Sequence, residues 1–245
     1  MQKLQSLPQS VPNINLFIWG SASGLPSSSP FCLKIIYALY YKGLDHTLID
    51  CILPPQWADR KKLPVAIING EKIQDSTTIL KFLDFAYPDT PLLYPVDQVE
   101  KSEVFLLEDW SDESLYWLVV YFRWAIDCNF SKFKKSAFEN LPFPLKLFVP
   151  TIARRQSQKK LSAQGISYIT DEERQEKLSE SVYLMENRLL KNTYLVNNEI
   201  TAADLSVFSI FKVLCDCQLT EVSQLFEKFP QFNRWFSSLE RQLKL

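Results

Sequence analysis

Every strand-like run in this 245-residue chain lies before residue 75, and from Pro88 onward only helical periodicity remains. That division implies a small mixed α/β unit followed by an all-helical one. Asn15–Trp19 (N-L-F-I-W) is a short apolar run ended by Gly20, which suits a buried strand. Ser21–Ser29 is rich in Ser, Gly and Pro and reads as a loop. Pro30 then falls in the first turn of a helix, where a missing N–H is tolerated. Leu33, Ile36, Tyr37 and Tyr40 recur at helical spacing up to Gly43, a C-terminal stop. Thr47–Ile52 reads as a second strand. Val65–Ile68, the turn Asn69-Gly70 and Lys72–Gln74 form a hairpin, and Asp75-Ser76 opens a helix through Phe85. The order is that of a thioredoxin-like unit.

Pro88–Pro95 is the candidate linker, so the expected units are 14–87, thioredoxin-like, and 96–245, all-helical. Glu100–Phe130 reads as one long helix, with Trp117, Tyr121 and Trp124 on one face. Pro142, Pro144 and Pro150 break up a shorter apolar segment, and Arg154–Gln164 is a basic helix ended by Gly165. Asp171 begins another, with Glu172 and Glu173 suited to its N-terminal dipole. Thr201-Ala202-Ala203-Asp204 is a capping box of structural role heading the most apolar helix of the second half. Shorter helices follow around Val222 and after Pro230.

Composition removes several functions. Glycine numbers only five, and neither G-x-x-x-x-G-K nor G-x-G-x-x-G occurs, so Gly-built nucleotide loops are not expected. A formal charge of −1 gives no general field for nucleic acid. One histidine, His46, rules out multi-His metal sites. The five cysteines are odd in number and scattered, and the polar Met1–Asn13 is no secretory leader, so a reducing, cytoplasmic setting is expected. Arg123 or Lys146 interrupts each long apolar run short of the ~20 residues a membrane helix needs.

Three constellations remain for chemistry. In Ser27-Ser28-Ser29-Pro30-Phe31-Cys32, hydroxyls stand at a helix N-terminus, whose free N–H groups stabilise a thiolate. Ser29 occupies the first position of a C-x-x-C frame and Cys32 the second, so no internal disulfide can form there. Alternatively, the serines simply cap the helix. Leu63-Pro64 precedes a strand, where a cis bond would present the backbone of Leu63 to a bound peptide; a plain loop proline is the alternative. Asp75-Ser76-Thr77 offers a hydroxyl and free N–H groups to a carboxylate and an acid to an amine, the two charges of an amino-acid head group. N-capping alone would also account for it.

With these residues in this order, the chain resembles the cytosolic glutathione transferase superfamily. The resemblance lies in S-P-F-C at the first helix, L-P-V-A-I-I-N-G-E-K-I-Q-D-S-T-T-I-L-K-F-L, and T-A-A-D-L in the second half, covering roughly Asn15 to Leu239. P-F-C-L-K, the short stretch before Pro64, D-S-T, L-Y-W-L-V-V-Y-F-R-W and A-R-R-Q-S-Q-K-K-L-S-A-Q-G-I make it similar to the failed-axon-connections and metaxin-like branch. The resemblance implies glutathione as co-substrate, without a metal. Leu63 and Pro64 would hold its cysteinyl part, and Asp75 and Ser76 its γ-glutamyl group. The cysteine-type pattern places the activating group at Ser29, the preferred choice, and the serine-type pattern at Ser28. Trp117, Tyr121 and Trp124 would line the pocket of a small hydrophobic electrophile, or else be ordinary core. A homodimer is implied as well. Two other functions stay open: a non-catalytic adaptor on the same fold, as in metaxins, and a thiol oxidoreductase using Cys32. Cys215 and Cys217 read as packing residues.

Overall fold

The computed structural model describes residues 12–216 and 220–243; Cys217 and the polar stretch ahead of residue 12 lie outside them. The chain begins β1 (Ile14–Trp19), α1 (Pro30–Tyr41), β2 (Thr47–Cys51), β3 (Val65–Ile68), β4 (Glu71–Gln74) and α2 (Ser76–Ala86). The sheet order is β2-β1-β3-β4, with β2 parallel to β1 and the other pairs antiparallel. The Asn69-Gly70 turn forms as expected, both residues taking positive φ (51° and 91°), which the tight two-residue connection requires. Ile14, Leu16 and Ile18 alternate into the core from the central strand, and α1 is buried along most of its length. This is a thioredoxin-like unit.

Helices alone follow: α3 (Gln98–Trp110), a π-helical turn (Ser111–Leu115), α4 (Tyr116–Trp124), α5 (Asp127–Ala137), α6 (Leu145–Gln164), α7 (Asp171–Leu189), α8 (Ala202–Asp216), α9 (Thr220–Lys228) and α10 (Pro230–Gln242). Among them α8, buried along most of its length, packs on α1 and joins the two halves, with Phe208 5.4 Å from Tyr37 between ring centroids. No helix among the described residues is long and apolar enough to cross a membrane.

Two sequence expectations are corrected. The single helix over Glu100–Phe130 is three helices. The π turn interrupts it without a Pro or Gly to mark the place, and Ile126 leaves helical geometry (ψ 121°) before α5. Pro150, expected to break the chain, lies inside α6. Its ring deprives the Lys146 carbonyl of a helical donor. Residues 142–148 are all exposed, so water can serve that carbonyl instead. Elsewhere the helix signals hold: Gly165 ends α6 in the left-handed region, and Thr170 with Glu173 forms a capping box ahead of Asp171.

Candidate functional site

The loop from β1 to α1 is tied down by its own polar groups. The Ser27 hydroxyl donates to the Trp19 carbonyl at 2.5 Å, and the Ser28 N–H donates to the Gly20 carbonyl at 2.9 Å. Arg123 of α4, buried and stacked 4.4 Å from the Phe133 ring centroid, donates through Nη1 to the Ser28 carbonyl at 2.5 Å. Ser29 is the N-cap of α1 in extended geometry, yet its hydroxyl makes no capping bond. The plain capping alternative therefore does not describe Ser29. A partly exposed hydroxyl sits instead at a positive helix terminus.

Cys32, one turn further, is fully buried. Burial is the dominant cause pushing its thiol up to about 11; the Trp19 backbone and the Ser29 and Ser27 hydroxyls pull the other way and lose. A thiol that is both protonated at neutral pH and inaccessible cannot attack a disulfide. Burial and this raised pKa weigh toward Cys32 as a packing residue and against it as a redox nucleophile.

At the other helix, the Leu63-Pro64 bond is cis. Asp75 takes φ 83° with ψ 133°, a positive-φ conformation that costs a non-glycine residue free energy. Its Oδ1 accepts from the Thr78 N–H at 3.2 Å, capping α2, and Oδ2 pairs with Arg60 at 3.2 Å. An incoming amine would therefore share this carboxylate with Arg60. Ser76 is almost wholly buried beneath a cleft of about 580 Å³, which Leu63, Pro64 and Asp75 also line. Arg60, Lys62 and Lys81 add positive charge to this cleft, while Glu108, Asp109 and Asp112 form an acidic wall.

A second cleft of about 570 Å³ opens on the other side of the α1 terminus. The rings of Trp19, Tyr116, Trp124, Phe133 and Phe138 line this aromatic cleft together with Ser28, Ser29 and a mixture of aliphatic and polar residues. Phe31 belongs to the first cleft and Tyr116 to the second, and their rings meet at 4.7 Å between centroids. That pair is the partition between the two spaces. The predicted residues thus divide: Leu63, Pro64, Asp75 and Ser76 face one cleft, Ser28 and Ser29 the other, and both adjoin the start of α1.

The expected aromatic face is rotated. Trp124 lines the second cleft, but Trp117 and Tyr121 do not. Tyr121 stacks under Arg174 at 3.9 Å and reaches Asp171 at the start of α7. Tyr116, Val119, Val120 and Arg123 take the cleft-facing positions instead. Trp117, Tyr121 and Trp124 do share one helical stripe within α4, but such spacing does not say which stripe of the helix meets the cleft. Tyr116 and Arg123 are therefore the residues that sequence reasoning did not assign. Burial raises the Tyr116 hydroxyl's pKa, Arg123 opposes that shift, and Cys32 adds to it. Among the described residues, no group of three or more His, Cys, Asp or Glu is placed to hold a metal ion.

Comparison with known proteins gives a consistent picture. The description "Glutathione S-transferase N-terminal domain" matches residues 30–130, and "Glutathione S-transferase, C-terminal domain" matches 148–242. Failed axon connections of Drosophila melanogaster is 28% identical over 222 residues, covering 82% of this chain; the chain spans only 50% of that protein's length. Protein LigF of a Sphingobium species is 27% identical over 195 residues, 73% of this chain and 72% of LigF. The crystal structure of LigF, described as a beta-etherase, superposes with a TM-score of 0.64 at 21% identity, covering 94% of this chain and 97% of the other. A rice glutathione S-transferase solved in complex with glutathione gives 0.61 at 16% identity, covering 95% and 88%.

Proposed function

Because this chain belongs to the glutathione S-transferase family, we propose that it binds glutathione across both helix termini and conjugates its thiolate to an aromatic electrophile. The γ-glutamyl group lies at Ser76 and the N-terminus of α2, and the cysteinyl backbone meets Leu63 ahead of the cis proline. The thiol passes the Phe31–Tyr116 partition toward Ser29, and the electrophile fills the aromatic cleft. The supporting observation is the Ser29 hydroxyl, unused as a cap, on the wall of that cleft at the α1 terminus. The scattered cysteines suit a reducing compartment such as the cytoplasm.

Magnitudes constrain the mechanism. Holding a thiol ionised about 2 pKa units below its free value requires about 2.7 kcal/mol. A helix terminus supplies roughly 0.3–1 kcal/mol, so a charge-assisted hydroxyl bond of about 1.5–3 kcal/mol must carry most of it. Arg123, held behind the Ser28–Ser29 loop, adds further positive potential. Ser29→Ala should therefore cut turnover of a chloronitroaromatic substrate roughly 10- to 100-fold. Glutathione affinity should stay close to wild type, and Ser28→Ala should have a smaller effect. Wild-type turnover in both variants would rule out serine activation. Turnover absent from the wild type, with glutathione bound, would point to the adaptor reading.

A further inference from the structure

Residues 128–164 carry eight Lys or Arg and a single acidic residue, Glu139, whereas the rest of the chain carries 19 basic and 27 acidic residues. A chain of net charge −1 thus concentrates its positive charge in one segment. Arg154 is turned inward, donating to the Trp124 and Ala125 carbonyls and to Asp127. The other seven cations are exposed.

Among the described residues, the same segment also gathers a run of exposed apolar side chains. Phe143 is 81% exposed and Phe148 61%, while Leu145, Leu147 and Ile152 are near half exposed. Leu145, Phe148 and Ile152 follow helical spacing along α6, and the same stripe continues with Arg155 and Lys159. Ile152 also lines the aromatic cleft, as do Leu141 and Val149, so the patch runs into that cleft's mouth.

Large apolar side chains gathered on a surface mark an interaction site. Lysine is depleted in protein–protein interfaces, which argues against a protein groove as the occupant. Apolar tips that enter the acyl boundary, flanked by cations that reach the headgroups, are what an anionic bilayer surface accommodates. We infer that the segment from Glu139 to Lys160 docks this protein on anionic membrane surfaces, with the mouth of the aromatic cleft held at the lipid boundary. An electrophile dissolved in the bilayer then enters directly; that consequence rests on the proposed conjugation, whereas the docking does not.

The test is flotation of the full chain with two vesicle types: phosphatidylcholine alone, and phosphatidylcholine with roughly 30% phosphatidylserine, an anionic surface of the kind that attracts basic segments. The wild type should float with the anionic vesicles and be released by salt. Each basic residue at such a surface is worth about fivefold in partitioning, so Arg155→Glu with Lys159→Glu should lower it by at least ~25-fold. Phe143→Ser with Phe148→Ser should lower it about tenfold or more. Both pairs should keep wild-type circular dichroism and wild-type conjugation of a water-soluble substrate, since none of the four residues lines either cleft. Equal partitioning to both vesicle types, or unchanged partitioning of either variant, would overturn the inference. So would a solution dimer that the Phe variant dissociates without any vesicle retention, or charge-dependent binding of a labelled RNA in place of vesicles. None of these results bears on the turnover of Ser29→Ala.

Discussion

Replacing Asp204 with alanine should lower the unfolding free energy by about 3–5 kcal/mol. Asp204 is fully buried at the head of α8, with no cation among its hydrogen-bond partners. Oδ1 accepts from the Leu195 N–H and Trp235 Nε1, both at 2.9 Å; Oδ2 accepts from the Thr201 N–H at 3.0 Å and the Thr201 hydroxyl at 2.8 Å. Burial pushes its carboxyl pKa up, while these four donors pull it down. Alanine would leave four donors in the core without an acceptor, and each buried orphan costs about 1–3 kcal/mol. Asp204→Asn, which keeps one acceptor oxygen, should lose less. Chemical denaturation measures both, and a loss below about 1 kcal/mol for alanine would contradict the account.

Lys34→Ala should cost a similar amount, about 3–5 kcal/mol, and should weaken glutathione binding as well. Lys34 is buried between Glu108 (3.1 Å) and Asp112 (2.6 Å). Glu108 also accepts from the Thr77 hydroxyl at 2.8 Å and the Tyr94 hydroxyl at 2.7 Å. One amine thus ties α1, the first turn of α2 and α3 together beneath the first cleft. Burial works against its charge, but the two carboxylates win and raise its pKa. Without it, two carboxylates stay buried unpaired, and Thr77, the neighbour of Ser76, loses its anchor. Two carboxylates sharing one cation also make the cluster pH-sensitive. Burial, the largest cause, pushes Asp112 up to about 6 from 3.8, and Lys34 only partly offsets it. The folded carboxyl thus holds its proton more tightly than the unfolded one. Its contribution to stability is full below the unfolded pKa and declines by about 3 kcal/mol as pH rises through 6. Asp112→Asn should flatten that part of the stability profile; an unchanged slope would contradict the assignment.

The sheet and its two helices were legible because their signals are local. The short apolar run of β1 ended by Gly20, Asn69-Gly70 and Pro30 each mark backbone geometry within a few residues. Asp204 was recognised as half of a capping box, although the Thr201 hydroxyl donates to it instead of accepting the helix's N–H, and the bonds from Leu195 and Trp235 come from distant chain. The Lys34–Glu108 contact spans 74 residues and leaves no periodic trace. The π turn at Ser111–Leu115 is built from residues equally at home in an α-helix and so was hidden, and helical spacing alone could not tell that the side of α4 carrying Tyr116 and Arg123 meets the cleft. The positive-φ Asp75 (φ 83°, ψ 133°) was equally silent: nothing in the sequence around an aspartate that caps a helix marks such a backbone.

Calorimetric titration of glutathione into the wild-type chain and Ser76→Ala goes most directly to the heart of this account. Saturable one-to-one heat in the wild type, with at least about tenfold weaker binding in Ser76→Ala, about the worth of one hydrogen bond to a charged group, is the predicted result. No heat from the wild type at millimolar tripeptide, or equal affinity in both proteins, would contradict a glutathione site at the head of α2.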